Sequence, residues 1–458
     1  MQRAAFTTTP HRHADRVAAL RALEHAILRR SGDLAAAVSA DFGGRAAEET
    51  LALELFPLVN EIRHARRQLR RWMRPRRAGL QWQFWPGQGR IVYEPLGVVG
   101  ILSTWNYPIF LTLGPLAGVL AAGNHALVKP SELAPRSAAL MAEILAGIYE
   151  PSYVSVMQGG PDVAAALTRL PLDHIMFTGS TRVGRLVMRA ASENLVPVTL
   201  ELGGKSPALV HPSYDVVRAA ARILTGKLFT AGQTCVAPDY VLVPDEQRDA
   251  FVDAARAQIA RMYPTIVANR DYTRIINADH YARLEGLVDD ARRQGATVLT
   301  HNPAGEACGP DNLVFPPTLI IGARPGMQVM EEEIFGPVLP VIGYRALDDA
   351  IAFVNARPRP LALYYFDGDS RRAAAVVARM PSGGVTRNDC IFHVGHAGLP
   401  FGGVGASGMG RYHGFDGFEA FSHKRGIFVQ RRFAPLGLVR PPYGPSARRL
   451  IEALLRRG

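Results

Sequence analysis

Apolar residues recur at three- and four-residue intervals through residues 14–40 (Val17, Leu20, Leu23) and 46–72 (Leu51, Leu53, Leu55, Leu58, Ile62). That period suits one face of a helix, so two amphipathic helices are predicted as an N-terminal layer. Further along, short apolar runs alternate with longer helical stretches. Strands are predicted at 98–102, 126–128, 153–157, 174–177 and 198–202, with helices at 109–122, 135–148, 162–168 and 181–191 between them. Strands joined by helices of that length pair in parallel through crossovers, which makes a doubly wound sheet. A second alternating section starts at Pro207 and runs to about Arg387, with strands near Ala208, Tyr240, Thr318, Val338, Leu363 and Val385. The predicted fold class is therefore α/β, with two doubly wound α/β domains in series and Gly203-Gly204 at their junction. The Gly-dense stretch 399–417 is predicted to be a functional or linking loop.

Composition narrows the classes. A chain of 458 residues, 48% hydrophobic, can bury a large core without disulfides or a structural metal. Its three cysteines, Cys235, Cys308 and Cys390, lie far apart and form no C-x-x-C pair, so no zinc ribbon, metal site or disulfide framework is expected, and a reducing, cytoplasmic compartment fits. The net charge of +12 raises nucleic-acid binding. Yet only Lys129, Lys205, Lys227 and Lys424 are lysines, and an Arg surplus with abundant Ala and Gly reflects a GC-rich genome more readily. The densest basic run, residues 70–77, reads as a solvated helix end. No charged residue occurs between Glu94 and Lys129, but Asn106, Pro108, Pro115 and Asn124 interrupt that stretch, so no membrane span is expected. Residues 1–16 lack the apolar core of a secretory signal.

Three segments compete to cradle a phosphate. Gly403-Val404-Gly405-Ala406-Ser407-Gly408 matches G-x-G-x-x-G letter for letter, but no strand precedes it and no good helix start follows, so it reads as a decoy. Gly179-Ser180-Thr181-Arg182-Val183-Gly184 does sit between a strand and a helix, with Ser180 or Thr181 able to cap. Arg185 and Leu186 stand where a P-loop needs Lys and Ser/Thr, which favours a dinucleotide pyrophosphate over nucleotide hydrolysis; an ordinary capped helix is the alternative. Lys129-Pro130-Ser131-Glu132 ends a strand where an open α/β sheet meets its ligand, so Lys129 and Glu132 could bind ribose hydroxyls or be plain surface residues.

Candidate chemistry centres on Cys235, which follows Phe229-Thr230-Ala231-Gly232-Gln233-Thr234 rather than sitting in an apolar stripe. An exposed thiol near a helix start would have its thiolate favoured; inert packing is the alternative. Glu201 ends an alternating strand ahead of Gly203-Gly204 and, buried at a cleft, would suit a general base. Asn106 follows another strand and carries an amide suited to a developing oxyanion.

Trp105-Asn106-Tyr107-Pro108, Lys129-Pro130-Ser131-Glu132, Phe177-Thr178-Gly179-Ser180, Glu201-Leu202-Gly203-Gly204-Lys205, Gly232-Gln233-Thr234-Cys235 and Glu333-Ile334-Phe335-Gly336-Pro337 occur in this order. Together they resemble the NAD(P)-dependent aldehyde dehydrogenase superfamily, over residues of about 15 to 430. The stretches 271–277, 360–364 and 399–405 resemble its class 3 branch, and 408–414 is similar to the bacterial coniferyl aldehyde dehydrogenases. The resemblance implies that Cys235 attacks an aldehyde, that Asn106 and the Cys235 N–H hold the oxyanion, and that Glu201 activates water to release an acid. It implies NAD or NADP held by Trp105, Lys129, Glu132, Gly179, Ser180, Thr181, Gly184, Leu202, Glu333 and Phe335; in the class 3 branch Glu333 is also a candidate base. Arg270 and Arg359 depart from the class 3 pattern in loops. The implied division is a cofactor-binding domain at 1–82 and 95–203, a catalytic domain at 204–398, an oligomerisation hairpin and strand at 83–94 and 418–435, the Gly-rich loop 399–417 and a tail at 436–458. A homodimer is expected. Competing readings are a non-redox thiol hydrolase using Cys235 and Glu201, and a nucleic-acid-binding protein using the Arg surplus.

Overall fold

The computed structural model describes residues 1–8, 11–433, 437 and 439–456. The N-terminal layer holds helices His13–Arg29, Ser31–Asp41 and Phe56–Trp72. The first predicted helix is thus two: Arg30 leaves helical geometry (φ −106°, ψ 17°), just before Ser31-Gly32-Asp33, residues that favour turns. The second runs through a π-turn at Leu51–Leu55. Pro57 offers no N–H to the Leu53 carbonyl, and the helix widens immediately ahead of it.

Among the described residues the strands form three sheets. The six-stranded sheet runs Gly408–Met409, Val198–Leu202, His174–Gly179, Val98–Leu102, His125–Lys129, Val154–Val156, and every pairing but the first is parallel. The seven-stranded sheet runs Thr297–Thr300, Thr318–Ile321, Val338–Tyr344, Tyr240–Pro244, Pro207–Val210, Ala362–Phe366, Gly384–Arg387. Only its Thr297–Thr300 edge is antiparallel. That edge strand, half-exposed and with Thr at both ends, has only Val298 and Leu299 between them, too short an apolar run to mark it in sequence. Helices cover both faces of each sheet, so the inner strands are buried and read as continuous apolar runs.

The third sheet is antiparallel, with Gln88–Pro95 between Arg76–Ala78 and Ser422–Val429. The hairpin therefore begins at Arg76 rather than at 83: Arg70 and Arg71 end the helix as expected, but the basic run then continues into an exposed edge strand, where Arg76 donates to the Tyr93 hydroxyl at 3.2 Å. The helix Gly414–Ala420 likewise crosses the boundary expected between 417 and 418. Residues 445–456 of the expected tail form the helix Pro445–Arg456; the parts of the expected strand and tail at 434–436, 438 and 457–458 lie outside the described residues. The uncharged stretch after Glu94 supplies a central strand and the helix Phe110–Ala122, buried nearly all round. No helix among the described residues is long and apolar enough to cross a membrane.

A buried ionic knot joins the helical layer to the rest. Arg45, with no exposed side-chain surface, pairs with Glu54 at 3.1 Å and Glu49 at 3.6 Å, and donates to the Asn106 carbonyl at 3.1 Å. Glu54 accepts the N–H groups of Ile109 and Phe110, at 2.8 and 3.1 Å, which start the central helix. Glu49 accepts the Thr230 N–H at 3.0 Å and the Thr273 hydroxyl at 2.7 Å. Removing one partner of a buried pair leaves the other charge uncompensated. Arg45→Met should therefore destabilise the fold by about 3–5 kcal/mol, read as a lowered thermal midpoint, whereas Arg30→Met at an exposed pair should leave it within about 1 kcal/mol of the parent.

Candidate active site

The carboxyl ends of three adjacent strands carry the first half of the site: Trp105 and Asn106 after Val98–Leu102, Thr178 to Thr181 at the end of His174–Gly179, and Glu201 to Gly203 at the end of Val198–Leu202. In an open parallel sheet this is the ligand edge. They line a cavity of about 620 Å³, closed from the other side by Cys235, His280, Arg283, Glu333 and Phe335. Of the residues singled out in sequence, the cavity gathers Trp105, Asn106, Gly179, Ser180, Thr181, Glu201, Leu202, Cys235, Glu333 and Phe335. Lys129, Glu132 and Gly184 do not line it. Lys129 pairs with Glu132 at the end of the neighbouring strand. Gly184 has a packing reason instead, since a Cβ there would stand 2.7 Å from the Leu202 side chain.

The segment before Cys235 is strained and tightly held. Thr230 (φ 52°), Ala231 (φ 50°) and Gly232 (φ 75°) all lie in the left-handed region, and a Cβ on Gly232 would stand 2.2 Å from the Gly336 carbonyl. Gln233 holds the turn: its amide donates to the carbonyls of Thr230 (3.0 Å) and Arg274 (2.9 Å), and its oxygen accepts the Ile276 N–H (3.0 Å). Tyr107 bridges the hydroxyls of Thr230 at 3.0 Å and Thr234 at 2.8 Å. Asn106, 1% exposed, donates from Nδ2 to the Gln233 carbonyl at 3.0 Å, which sets its amide beside the approach to Cys235.

Cys235 follows in a turn, not at a helix start. The expected lowering of its pKa is overturned: burial, with Glu333 and Glu201 adding negative charge, pushes the thiol up to about 12. Burial also raises Glu201 well above the usual carboxylate range, opposed by Arg411; the carboxyl is 2% exposed and both oxygens lack a partner. Glu333 is pushed up to about 8 by burial and Asp239, against the Gly204 N–H that it accepts. Its backbone is fixed by Arg283, which donates to its carbonyl at 3.1 Å, and by Lys205, which pairs with Asp239 and donates to the Glu332 carbonyl at 2.8 Å.

The cavity fits a dinucleotide. Ser180 caps the helix Thr181–Ser192, accepting from the Val183 N–H, and the first-turn N–H groups of Thr181 and Arg182 lie at the cavity wall, where a pyrophosphate can take them. The oxygens Glu333 Oε1 and Thr178 Oγ1, buried without partners beside the cavity, suit ribose and amide hydrogens. The G-x-G-x-x-G segment is not a cradle: Gly408 pairs in register with Glu201 and the Ser407 carbonyl accepts the Leu202 N–H at 3.1 Å, so it braces the Glu201 strand.

A second cleft, of about 250 Å³ and mostly apolar, reaches Cys235 from the opposite side, between Phe56, Tyr107, Phe110, Ile391 and Phe392. Cys235, Leu111 and Phe401 line both openings. Sequence reasoning missed His280 and Arg283, whose i, i+3 spacing looks like any solvated helix face, and Phe401, whose position inside the Gly-dense stretch was the available signal.

A thiol reached from one side by a dinucleotide-sized cavity and from the other by an apolar cleft suits a dehydrogenase that captures its substrate covalently. The chain belongs to the aldehyde dehydrogenase family, whose family model matches residues 2–427. It is 47% identical over 457 residues to a probable coniferyl aldehyde dehydrogenase of Pseudomonas aeruginosa, covering all of this chain and 95% of that one. It is 39% identical over 430 residues, 93% of either chain, to a dimeric NADP-preferring aldehyde dehydrogenase of Canis lupus familiaris. The substrate-bound structure of Staphylococcus aureus AldH superposes with a TM-score of 0.93 at 37% identity, covering 99% of this chain and 98% of that one. The protein is an aldehyde dehydrogenase that uses NAD or NADP.

Because the Cys235 thiol is held well above its ordinary range, iodoacetamide should inactivate the cofactor-free enzyme slowly near pH 7. The rate should rise about tenfold per pH unit up to pH 9 without a plateau. A plateau below pH 8 would contradict the raised pKa.

Proposed function

We propose that this dehydrogenase oxidises aromatic aldehydes of the coniferyl aldehyde type, or medium-chain aliphatic ones, with Cys235 as nucleophile, Asn106 as oxyanion donor and Glu201 as the base for hydrolysis. The observation that carries this reading is that Cys235 stands where the cavity and the apolar cleft meet. An aldehyde seated among Phe56, Phe110 and Phe392 presents its carbonyl to the sulfur while its apolar body stays out of water. As the C–S bond forms, the thiol S–H bond breaks and its proton passes to a neighbouring carboxylate, while the Asn106 amide and the Cys235 N–H take up the negative charge developing on the aldehyde oxygen. When bound, NAD or NADP supplies the acceptor for the hydride that leaves the thiohemiacetal carbon. Thr181 and Arg182 would hold the pyrophosphate, and Glu333 with Phe335, stacked edge-on against Trp105 at 5.4 Å, the nicotinamide ribose end. Lys129 and Glu132 would meet the adenosine ribose, where a carboxylate favours a free 2′-hydroxyl. Glu201 then takes a proton from water attacking the thioester, and the acid leaves with Cys235 as the departing thiolate.

A cytoplasmic homodimer completes the proposal. The Ser422–Val429 edge of the third sheet is exposed along most of its length, beside exposed Trp82, Trp85 and Phe428, and an open apolar edge of this kind is covered in a stable assembly.

The test is NAD(P)H appearance with either cofactor and a panel running from coniferyl aldehyde and benzaldehyde through hexanal to acetaldehyde. Turnover should be highest with the aromatic or medium-chain members. Cys235→Ala should abolish it with cofactor binding retained by titration, and Asn106→Ala should lower kcat by about 10²–10³-fold. Ester cleavage without NAD(P)H formation from any aldehyde would favour a thiol hydrolase instead. Light scattering should give twice the chain mass.

A further inference from the structure

The apolar cleft carries one polar side chain that the chemistry at Cys235 leaves unused. Four of its lining side chains have polar atoms: Tyr107, Thr234, Cys235 and His396. Cys235 is taken up by the reaction proposed above. The hydroxyls of Tyr107 and Thr234 are bonded to each other at 2.8 Å, and Tyr107 also accepts the Thr230 hydroxyl at 3.0 Å. His396 remains, and it is exposed, as are Phe56 and Phe392, which with it mark the outer end of the cleft.

The local backbone decides how that imidazole is presented. The Gly398 N–H donates to His396 Nδ1 at 3.2 Å, and the Leu399 N–H closes a turn on the His396 carbonyl at 3.0 Å. A ring nitrogen that accepts a hydrogen bond carries no proton, so the neutral ring keeps its hydrogen on Nε2 and offers a donor there. Among the described residues this is the one hydrogen bond the ring makes. Gly398 permits it by being small, since a Cβ there would stand 3.2 Å from His396 Cε1. On the other side, Gly395 also lines the cleft, and a Cβ on it would meet nothing within 4 Å, so there is room for a ring substituent beside His396. The turn is anchored as well: Gly414 leaves no space for a Cβ against the Ala397 carbonyl, so the loop rests directly on the backbone that starts the helix Gly414–Ala420.

We propose that His396 selects aldehydes whose aromatic body ends in an oxygen, a ring hydroxyl or methoxyl, by donating a hydrogen bond to it from Nε2. The proposal rests on the reading that the substrate lies in this cleft with its carbonyl at Cys235. A coniferyl-type aldehyde is flat and rigid, with the carbonyl at one end and its ring oxygens at the other. Seated with the carbonyl inward, it covers Phe56 and Phe392 with its ring and brings those oxygens to the mouth, where the donor stands. A straight-chain aldehyde has no oxygen beyond its carbonyl and gains nothing from His396. The residue acts in binding alone: it makes no covalent bond and moves no proton. Because it is exposed, water replaces the bond when the partner is missing, so its effect is that of one ordinary hydrogen bond, about three- to tenfold in kcat/KM.

The test compares kcat/KM for coniferyl aldehyde, p-methoxycinnamaldehyde, cinnamaldehyde and hexanal in the parent, His396→Ala and His396→Gln. Taking each variant as a ratio to the parent removes the electronic effect of the ring substituent, which is the same in every protein. His396→Ala should lose about three- to tenfold with the two oxygenated aldehydes, mainly through a higher KM, and stay within about twofold of the parent with cinnamaldehyde and hexanal. His396→Gln, whose amide donates, should recover part of the loss. The methoxyl compound separates the direction of the bond, because its para oxygen only accepts: a loss with coniferyl aldehyde but none with p-methoxycinnamaldehyde would overturn donation from Nε2. Equal losses with all four aldehydes, or no loss with the oxygenated pair, would overturn the proposal outright. A parent that oxidises hexanal but neither coniferyl aldehyde nor cinnamaldehyde would sink the aromatic reading and this one with it, whereas a parent that oxidises both aromatic aldehydes with a preference unchanged in His396→Ala leaves that reading intact and removes His396 alone.

Discussion

The fold turns on a buried cation. Arg45 has no exposed side-chain surface, and its one positive charge is shared between Glu54, which starts the central helix, and Glu49, which holds the turn leading to Cys235. The same guanidinium donates to the backbone of Asn106 and lies 4.9 Å from the Tyr107 ring centroid. Asn106, the turn before Cys235 and the helical layer are therefore held by a single desolvated group. Such a knot gives little net stability, because desolvating three charged groups costs about as much as their attraction returns. Its effect is geometric: the two α/β sheets cannot shift relative to the layer without exposing an unpaired charge.

Burial also governs the chemistry. Partial or full burial, with charge from neighbouring groups, holds Cys235, Glu201 and Glu333 each towards its neutral form. A thiol kept neutral in this way is a resting arrangement. It resists adventitious alkylation and oxidation, which need the thiolate. Strain serves the same end: the left-handed Thr230 and Ala231 aim the following residues, and the rigid Gln233 bonds keep that geometry from relaxing. The fit of a dinucleotide beside the thiol follows from helix ends and strand ends that point one way.

Much of this was legible along the chain, for reasons particular to each segment. Val98–Leu102 is a short apolar run and Val198–Leu202 alternates apolar with polar residues, and the predicted limits match both strands residue for residue. The G-x-G-x-x-G at 403–408 was separable from a true cradle because no strand precedes it, and it proves to brace the strand of Glu201. The hairpin start at Arg76 was hidden because an edge strand facing water needs no apolar alternation. The π-turn at Leu51–Leu55 was hidden because a helix that widens before a proline keeps its apolar periodicity.

What the sequence determined by itself was the order of elements and the identity of the chemical groups, since both are written in local spacing: apolar periods, helix caps, and small residues around a thiol, a carboxylate and an amide. Which groups share a wall was decided by tertiary structure alone. Glu61 meets the Gly414 N–H across more than three hundred residues, Gly184 packs against Leu202, and Cys235 became more neutral instead of less. The physical reason is that desolvation and charge act through space, so a pKa or a cleft depends on what the fold brings within a few ångströms and leaves no trace in neighbouring letters.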